Sequence, residues 1–466
     1  MPWAFTRWVL LLVAVVACAP NLPASGPDTT VQVVTTNPIT QTTLASAPTT
    51  TGAAVPLDPT LLLLRDAVMV TMDDALGERD AVLIEGGRIV AVGEETEITA
   101  GLDRRPVVMS LEGLPVFPGF IDSHNHRLLR YPEIGYASAD EVLADSTRVG
   151  WTGLQELAVS EDQLASLIDL ATADRLPLRV DAYLATNTFE VEPLDKWYGS
   201  YRPRQAISSH LRLAGLKFFV DFDWGREVRI STEQLIAAFE EAGAEGWQIA
   251  AKAISTEALE TILDAYSGAG VEGASDRLRI EHALAVTESQ STRMAASGVI
   301  ASIQTNMPGE LVEDPEFYAF VDEQPEGSIT PWRRLIDDGV VVAGGSAWPS
   351  YYTDEPEGAP FGSPLRLLYQ AVTRAGNLGS QPDPWMLDQA ITLEEALQAL
   401  TVGAAYAAAD EANRGTLTPG KYADLVLLSA DPRSVAIEEV PFIEVLMTMV
   451  AGEVVWCHPN TTHLCP

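Results

Sequence analysis

Lysine is scarce in this 466-residue chain: Lys196, Lys217, Lys252 and Lys421 are the only four, so a lysine inside an apolar stretch is informative. Positive charge is scarce as a whole, with 29 Lys and Arg against 65 Asp and Glu, a formal net charge of −36. That balance excludes nucleic acid as a partner, because such binding needs a basic surface. It bears on solubility and ion atmosphere rather than on fold. Cysteine is limited to Cys18, Cys457 and Cys465. No glycine-rich phosphate loop follows any strand candidate, which argues against a doubly wound nucleotide-binding sheet. What is present is a hydrophobic content of 47%, ample for a packed core, over a length that allows two to three domains.

The ends carry separate signals. MPWAFTRWVLLLVAVVACAP has Arg7 in a short n-region and an apolar run from Trp8 to Ala17, too short to span a bilayer and suited to a secretory signal. The small residue before Cys18 resembles the lipobox of bacterial lipoproteins, in which the cysteine is lipidated. The plainer alternative is a generic signal with an incidental cysteine. On the first reading residues 1–17 are a signal peptide, Cys18 carries the lipid, and the Thr/Pro/Ser-rich stretch 18–58 is a disordered tether. The protein is then an extracytoplasmic lipoprotein held at the cell membrane. At the other end, CHPNTTHLC is expected to close a small loop through a Cys457–Cys465 disulfide, the alternative being two free thiols. His458 and His463 lie inside that loop.

Between the ends the patterning changes twice. LLLLRDAVMVTMD and DAVLIEGGRIVAVGEE read as hairpin strands, and RGTLTPGKYADLVLLSADP and FIEVLMTMVAGEVVWC have the same short-strand character. Residues 59–116 and 411–466 are therefore expected to complete one small β-sandwich. From 117 to 410, eight apolar segments alternate with helical ones: FPGFIDSH, TGLQELAV, LRVDAYLA, GLKFFVDF, WQIAAKAI, LRIEHALA, VIASIQT and VVVAGGSA. This is the pattern of an α/β fold, a (β/α)8 TIM barrel, whose active site lies at the C-terminal ends of the strands.

The first of these segments ends in His124 and His126, which share a face by strand alternation. Paired imidazoles are good ligands for borderline divalent metals such as zinc. PGFIDSHNH (118–126), GLKFFVD (215–221), RIEHA (279–283) and GTLTPGKYADLVLL (415–428) together resemble the metal-dependent amidohydrolase superfamily, of the amidohydrolase family 3 type. The resemblance covers nearly all of residues 59–456. It implies His282 as a third metal imidazole and Lys217 as a carboxylated, metal-bridging lysine. Read without the resemblance, Lys217 is an amphipathic lysine reaching out of a half-buried strand, and His282 a satisfied strand-end histidine.

Two expected partners are missing. The family's fifth strand normally ends in a histidine, where this chain has Lys252, and its eighth in Gly-Ser-Asp, where this chain has Gly345-Ser346-Ala347. Alanine neither binds metal nor moves a proton. One divalent ion, zinc, is therefore expected rather than two. Asp221, four residues after Lys217, is a candidate relocated base, or simply a loop aspartate. Lys252 is a candidate fixed positive charge for a carboxylate or oxyanion, or simply a lysine paired with Asp221 or Asp223. Glu281 is expected to alternate away from His282 towards the helices. The segment from His126 to Trp151 is also short for the family, which weakens substrate analogy. Trp197, Tyr198, Tyr201, Trp224, Trp348, Tyr351 and Tyr352 could line an apolar pocket or pack loops onto the barrel. The expected activity is hydrolysis of a non-peptide carbon–nitrogen bond in a small amide or cyclic amide. The competing class is a solute-binding or surface interaction protein on a catalytically impaired scaffold.

Overall fold

The computed structural model describes residues 56–186, 196–223, 225–271, 277–311, 315–348, 362–376 and 381–465. The signal segment, Cys18, nearly all of the tether, Trp224, Tyr351 and Tyr352 lie outside the described residues.

The two terminal segments build one eight-stranded sheet. Its hydrogen-bonded path runs Glu453–Cys457, Val445–Val450, Leu425–Leu428, Arg105–Pro118, Leu57–Val70, Ala81–Glu85, Arg88–Gly93, with Glu78–Arg79 also paired to Leu57–Val70. The halves join where Leu425–Leu427 run antiparallel to Val116–Pro118. The strands form a single continuous hydrogen-bonded path. Leu64, Met69, Val82 and Ile84 from the N-terminal part pack with Leu425, Leu427, Met447 and Met449 from the C-terminal part, so neither part has a complete core alone. Cys457 and Cys465 are bonded, and Leu464 inside their loop is buried in the same core. His458 lies 3.8 Å from Glu444 and His463 3.5 Å from Glu112, both at the surface end of the loop.

The second sheet is parallel and follows chain order: Phe120–Asn125, Trp151–Val159, Arg179–Ala185, Leu211–Phe219, Gln248–Ala253, Arg279–His282, Ile300–Gln304 and Val342–Gly345. Helices connect the strands, as the alternating pattern requires. Their starts are written in the sequence: Ser160 with Gln163, Ser231 with Gln234, Thr287 with Gln290 and Thr392 with Glu395 each form a reciprocal capping box. Leu164, Leu167 and Leu170 show how one helical face is buried against the strands. Helices at Ala139–Arg148 and Pro364–Thr373 were not among the sequence expectations.

The first and eighth strands meet through side-chain and loop contacts. Ser346 donates from its backbone N to Asp122 Oδ1 (2.9 Å) and from its hydroxyl to Asp122 Oδ2 (2.6 Å). Ala347 N donates to the carbonyl of His124 at 2.7 Å. A Cβ on Gly345 would lie 2.6 Å from the His124 backbone nitrogen, so this approach requires glycine. At the other end of the strands, Arg179 pairs with Asp424 at 2.7 Å and Arg414 with Asp181 at 2.5 Å, which ties barrel strand to terminal segment.

Candidate functional site

His124 and His126 end the first barrel strand, and His282 ends the sixth. Ring centroids are 5.2 Å apart for His124 and His126, and 4.9 Å for His124 and His282. Each imidazole uses Nδ1 for a fixed partner. His126 Nδ1 is 3.0 Å from the Leu157 carbonyl, which can only accept, so Nδ1 carries the hydrogen. His282 Nδ1 is 2.7 Å from Gln304 Oε1, the Gln304 amide being oriented by its own donation to the Ser302 carbonyl. His124 Nδ1 is 2.7 Å from Glu281 Oε2. Burial holds all three imidazoles neutral, His124 at about 4 and the other two well below the usual range. A neutral imidazole with a hydrogen on Nδ1 leaves a lone pair on Nε2.

The position of Glu281 corrects the expectation that it faces the helices. Arg279 and Glu281 both point into the barrel, and alternation would then send His282 outward. It does not, because His282 adopts a φ of +73° and Ala283 one of +44°, so the regular alternation ends at Glu281 although the ladder pairing runs on to His282. Burial alone would raise the Glu281 carboxyl. The Arg279 guanidinium at 2.9 Å and the His124 hydrogen bond outweigh it and keep the group ionised.

Lys217, on the fourth strand, is buried beside these groups, and its Nζ has no hydrogen-bond partner among the described residues. Burial, with Lys252 and Arg279 adding to it against the pull of Glu281 and Asp221, lowers its amine to about 7. Lys252 instead has a partner: its Nζ donates to Asp221 Oδ1 at 2.7 Å and to the Asp221 carbonyl at 2.9 Å. Asp221 Oδ2 accepts from the backbone N of Ile254 (2.6 Å) and of Ser255 (3.0 Å). Both carboxylate oxygens thereby have partners, and of the alternatives for Lys252 the pairing with Asp221 is the arrangement seen. Ala347 stands at the end of the eighth strand with a φ of +48° and offers no side-chain donor or acceptor.

The loop aromatics that are described pack onto the barrel. Trp197 Nε1 donates to the Ala185 carbonyl and its ring meets Tyr198 and Tyr201. Trp348 stacks edge-on with Tyr136 and lies over Arg127. A cavity of about 340 Å³ lies elsewhere, lined by Arg148, Phe442, Trp456 and His458 among others, and none of the site residues above lines it.

The match to the model of the amidohydrolase family, type 3, runs over residues 135–456. The chain belongs to this family. An N-substituted formamide deformylase from Arthrobacter pascens is 30% identical over 210 residues, 44% of this chain and 36% of that protein. An imidazolonepropionase from Symbiobacterium thermophilum is 27% identical over 430 residues, 79% of this chain and 91% of that protein. The structure of an uncharacterised metal-dependent hydrolase from Pyrococcus horikoshii superposes with a TM-score of 0.64 at 18% identity, covering 81% of this chain and 99% of that one. The chain spans little more than a third of the deformylase, and the likeness to the Pyrococcus structure is one of fold.

Amidohydrolases typically bind divalent metals. Among the described residues no three His, Cys, Asp or Glu side chains are drawn together as a preformed metal cage. The donor chemistry fits one ion nonetheless: each of the three neutral imidazoles commits Nδ1 and leaves Nε2 its lone pair, and the buried Lys217 amine has no hydrogen-bond partner among the described residues. It does not fit a second ion, because the fifth-strand position is filled by the Lys252–Asp221 pair and the eighth-strand position by alanine.

Glu156, on the second strand, escaped the sequence reading although an acid in the apolar run TGLQELAV was visible. It is fully buried; Oε1 accepts from Leu128 N at 2.9 Å, and Oε2 has no partner among the described residues. Burial pushes its carboxyl up to about 8. Between the ordinary value near 4.5 and about 8 the folded state therefore holds a proton that the unfolded state has released, so this group's contribution to stability falls as pH rises. Glu156→Gln is expected to gain stability over the parent at pH 8 and little at pH 5, measured by urea unfolding; parallel curves at both values would contradict this.

Glu281→Gln keeps the shape but removes the charge opposite Arg279. The folded variant is expected to melt lower and to bind a divalent ion about 10- to 100-fold more weakly, the range seen when an outer partner of a ligating histidine is lost. Chelator competition reads the affinity and nitrogen NMR of His124 reads the tautomer; parent-like values of both would remove this role from Glu281.

Proposed function

We propose that this chain is a metal-dependent hydrolase of a non-peptide carbon–nitrogen bond, in an amide or cyclic amide of a small molecule. The observation that carries the reading is the set of three neutral imidazoles with free Nε2 atoms beside the unpartnered amine of Lys217. His124, His126 and His282 would hold one divalent ion, zinc, with Lys217 joining them in its carboxylated form. The lowered Lys217 amine supports that modification, since a neutral amine adds carbon dioxide and releases a proton. When bound, the ion would polarise the scissile carbonyl and supply a nucleophile near neutral pH.

The chain's own residues do the rest. Glu281, Leu157 and Gln304 orient the imidazoles. Lys252 spends two of its three N–H donors on Asp221 and keeps one, which favours a role in holding a substrate carboxylate or an oxyanion. The absence of a carboxylate at Ala347 sets a ceiling on the rate, since a missing general base typically costs about 10²- to 10⁴-fold.

A second reading follows from those same departures: the scaffold binds a small molecule without turning it over. The domain from Val55 onward, purified without chelators, is expected to hold about one ion per chain and to hydrolyse members of an amide and cyclic-amide panel. Metal without turnover would favour the binding protein, and no stoichiometric metal would end the hydrolase reading.

We also place the protein outside the cytoplasm, anchored by a lipid on Cys18. The support is the sequence of residues 1–18, with the Cys457–Cys465 bond suiting an oxidising compartment. Mass analysis of the N-terminal peptide from membranes is expected to show cleavage before Cys18 and a lipidated cysteine; a peptide that continues unmodified through Ala17 would refute the anchor.

A further inference from the structure

Four buried arginines in this fold are paired with acids: Arg127 faces Asp122, Arg179 faces Asp424, Arg279 faces Glu281 and Arg414 faces Asp181. Arg374 has no acidic partner among the described residues. It follows the helix Pro364–Thr373 and is 0% exposed. Its Nη2 donates to the carbonyls of Thr330 (2.8 Å) and Gln389 (2.6 Å), and its guanidinium carbon sits 3.9 Å from the centroid of the Trp332 ring. Nε and Nη1, which carry three hydrogens between them, have no acceptor among the described residues. Burial lowers the guanidinium to about 9 and no acidic side chain among the described residues offsets it, yet it remains charged near neutral pH.

The residue that receives one of its hydrogen bonds is unusual too. Thr330 is 1% exposed, its hydroxyl has no partner, and its φ of +41° is strained for a β-branched side chain. The backbone around it is held in place. Thr330 N donates to the Leu284 carbonyl at 2.6 Å, and Val286 N to the Ser328 carbonyl at 2.8 Å. The strained residue therefore lies alongside the segment that immediately follows His282.

A buried cation without a counter-charge is among the costlier arrangements in a protein interior. Neither the two carbonyls nor the Trp332 ring supplies a full negative charge. Arg374, Thr330 and Trp332 are all enclosed, which argues against the anionic end of a large substrate entering from solvent. We propose that Arg374 and Thr330 form an enclosed binding site for one small monovalent anion of the halide or formate class. The ion accepts from Arg374 Nε or Nη1 and from the Thr330 hydroxyl. It thereby links the helix Pro364–Thr373 to the turn beside His282.

The full chain, exchanged into gluconate and then titrated with chloride, bromide or formate at constant ionic strength, tests the site. A saturable rise in melting temperature on the order of 2 °C is expected for halide once its concentration exceeds Kd about tenfold. A formate response that competes with bromide shows that the site accepts a small carboxylate as well; a response to halide alone narrows it to halides. Crystals grown in bromide are expected to give an anomalous peak within hydrogen-bond distance of Arg374, which needs no variant. Arg374→Met should abolish the response, and if it does not fold, Thr330→Val should weaken halide affinity several-fold. A melting temperature indifferent to the anion, a response that survives Arg374→Met, or bromide crystals without a peak at Arg374 overturns the proposal.

Discussion

The ion pair between Arg279 and Glu281 is the interaction on which the centre of this molecule depends. Arg279 reaches the Ser123 carbonyl, the Gln155 and Tyr183 side chains and the Ser302 hydroxyl, so one guanidinium touches the first, second, third and seventh strands. Taking two charges out of water is expensive, and the arrangement is tolerable because nearly every donor finds an acceptor. Its chemical effect appears one step outward. Arg279 keeps Glu281 ionised, Glu281 holds the hydrogen on His124 Nδ1, and His124 Nε2 is left with its lone pair. The packing of the barrel interior and the tautomer of a site histidine are thus set by the same two residues.

The barrel was legible because its signals are local and repeated. Eight apolar segments alternate with helical ones, and S/T-x-x-Q/E caps mark several helix starts. Motif context pointed to His124, His126, Lys217 and His282, and the fold carries them on, or directly after, the first, fourth and sixth strands of one barrel. What the sequence hid was non-local or depended on single backbone angles. Glu281 was misplaced because period-two alternation assumes an unbroken strand, and the positive φ at His282 breaks it. The pairing of Lys252 with Asp221 was one of two alternatives, and 31 residues of separation left sequence alone no means of choosing. Glu156 went unnoticed because its distinguishing property, a carboxyl in a dry environment, exists only after helix and strand have closed over it.

The two departures from the family pattern lie on different strands: Lys252 is on the fifth, beside the strand that ends in His282, and Ala347 follows the eighth, beside the strand that carries His124. The first puts an ammonium where the family has an imidazole, the second a methyl group where it has a carboxylate. The ammonium is neutralised locally by Asp221, whose other oxygen is occupied by two backbone N–H groups. The three imidazoles keep their orienting partners. They remain neutral donors, and the fifth-strand position is a self-contained ion pair.

The contact between Asp122 and Ser346 ties the histidine pair to the last strand of the barrel, more than two hundred residues further along the chain. Nearly the same holds for the terminal sheet, where Val116–Pro118 waits for Leu425–Leu427. A polypeptide emerging from its N-terminus therefore carries both histidines early, with nothing yet to fix them in place. Ligand geometry becomes available only when almost the whole chain has been delivered. Assembly of the site is thus a late checkpoint on completeness: a truncated product keeps the sequence motif yet lacks the closure that gives it shape.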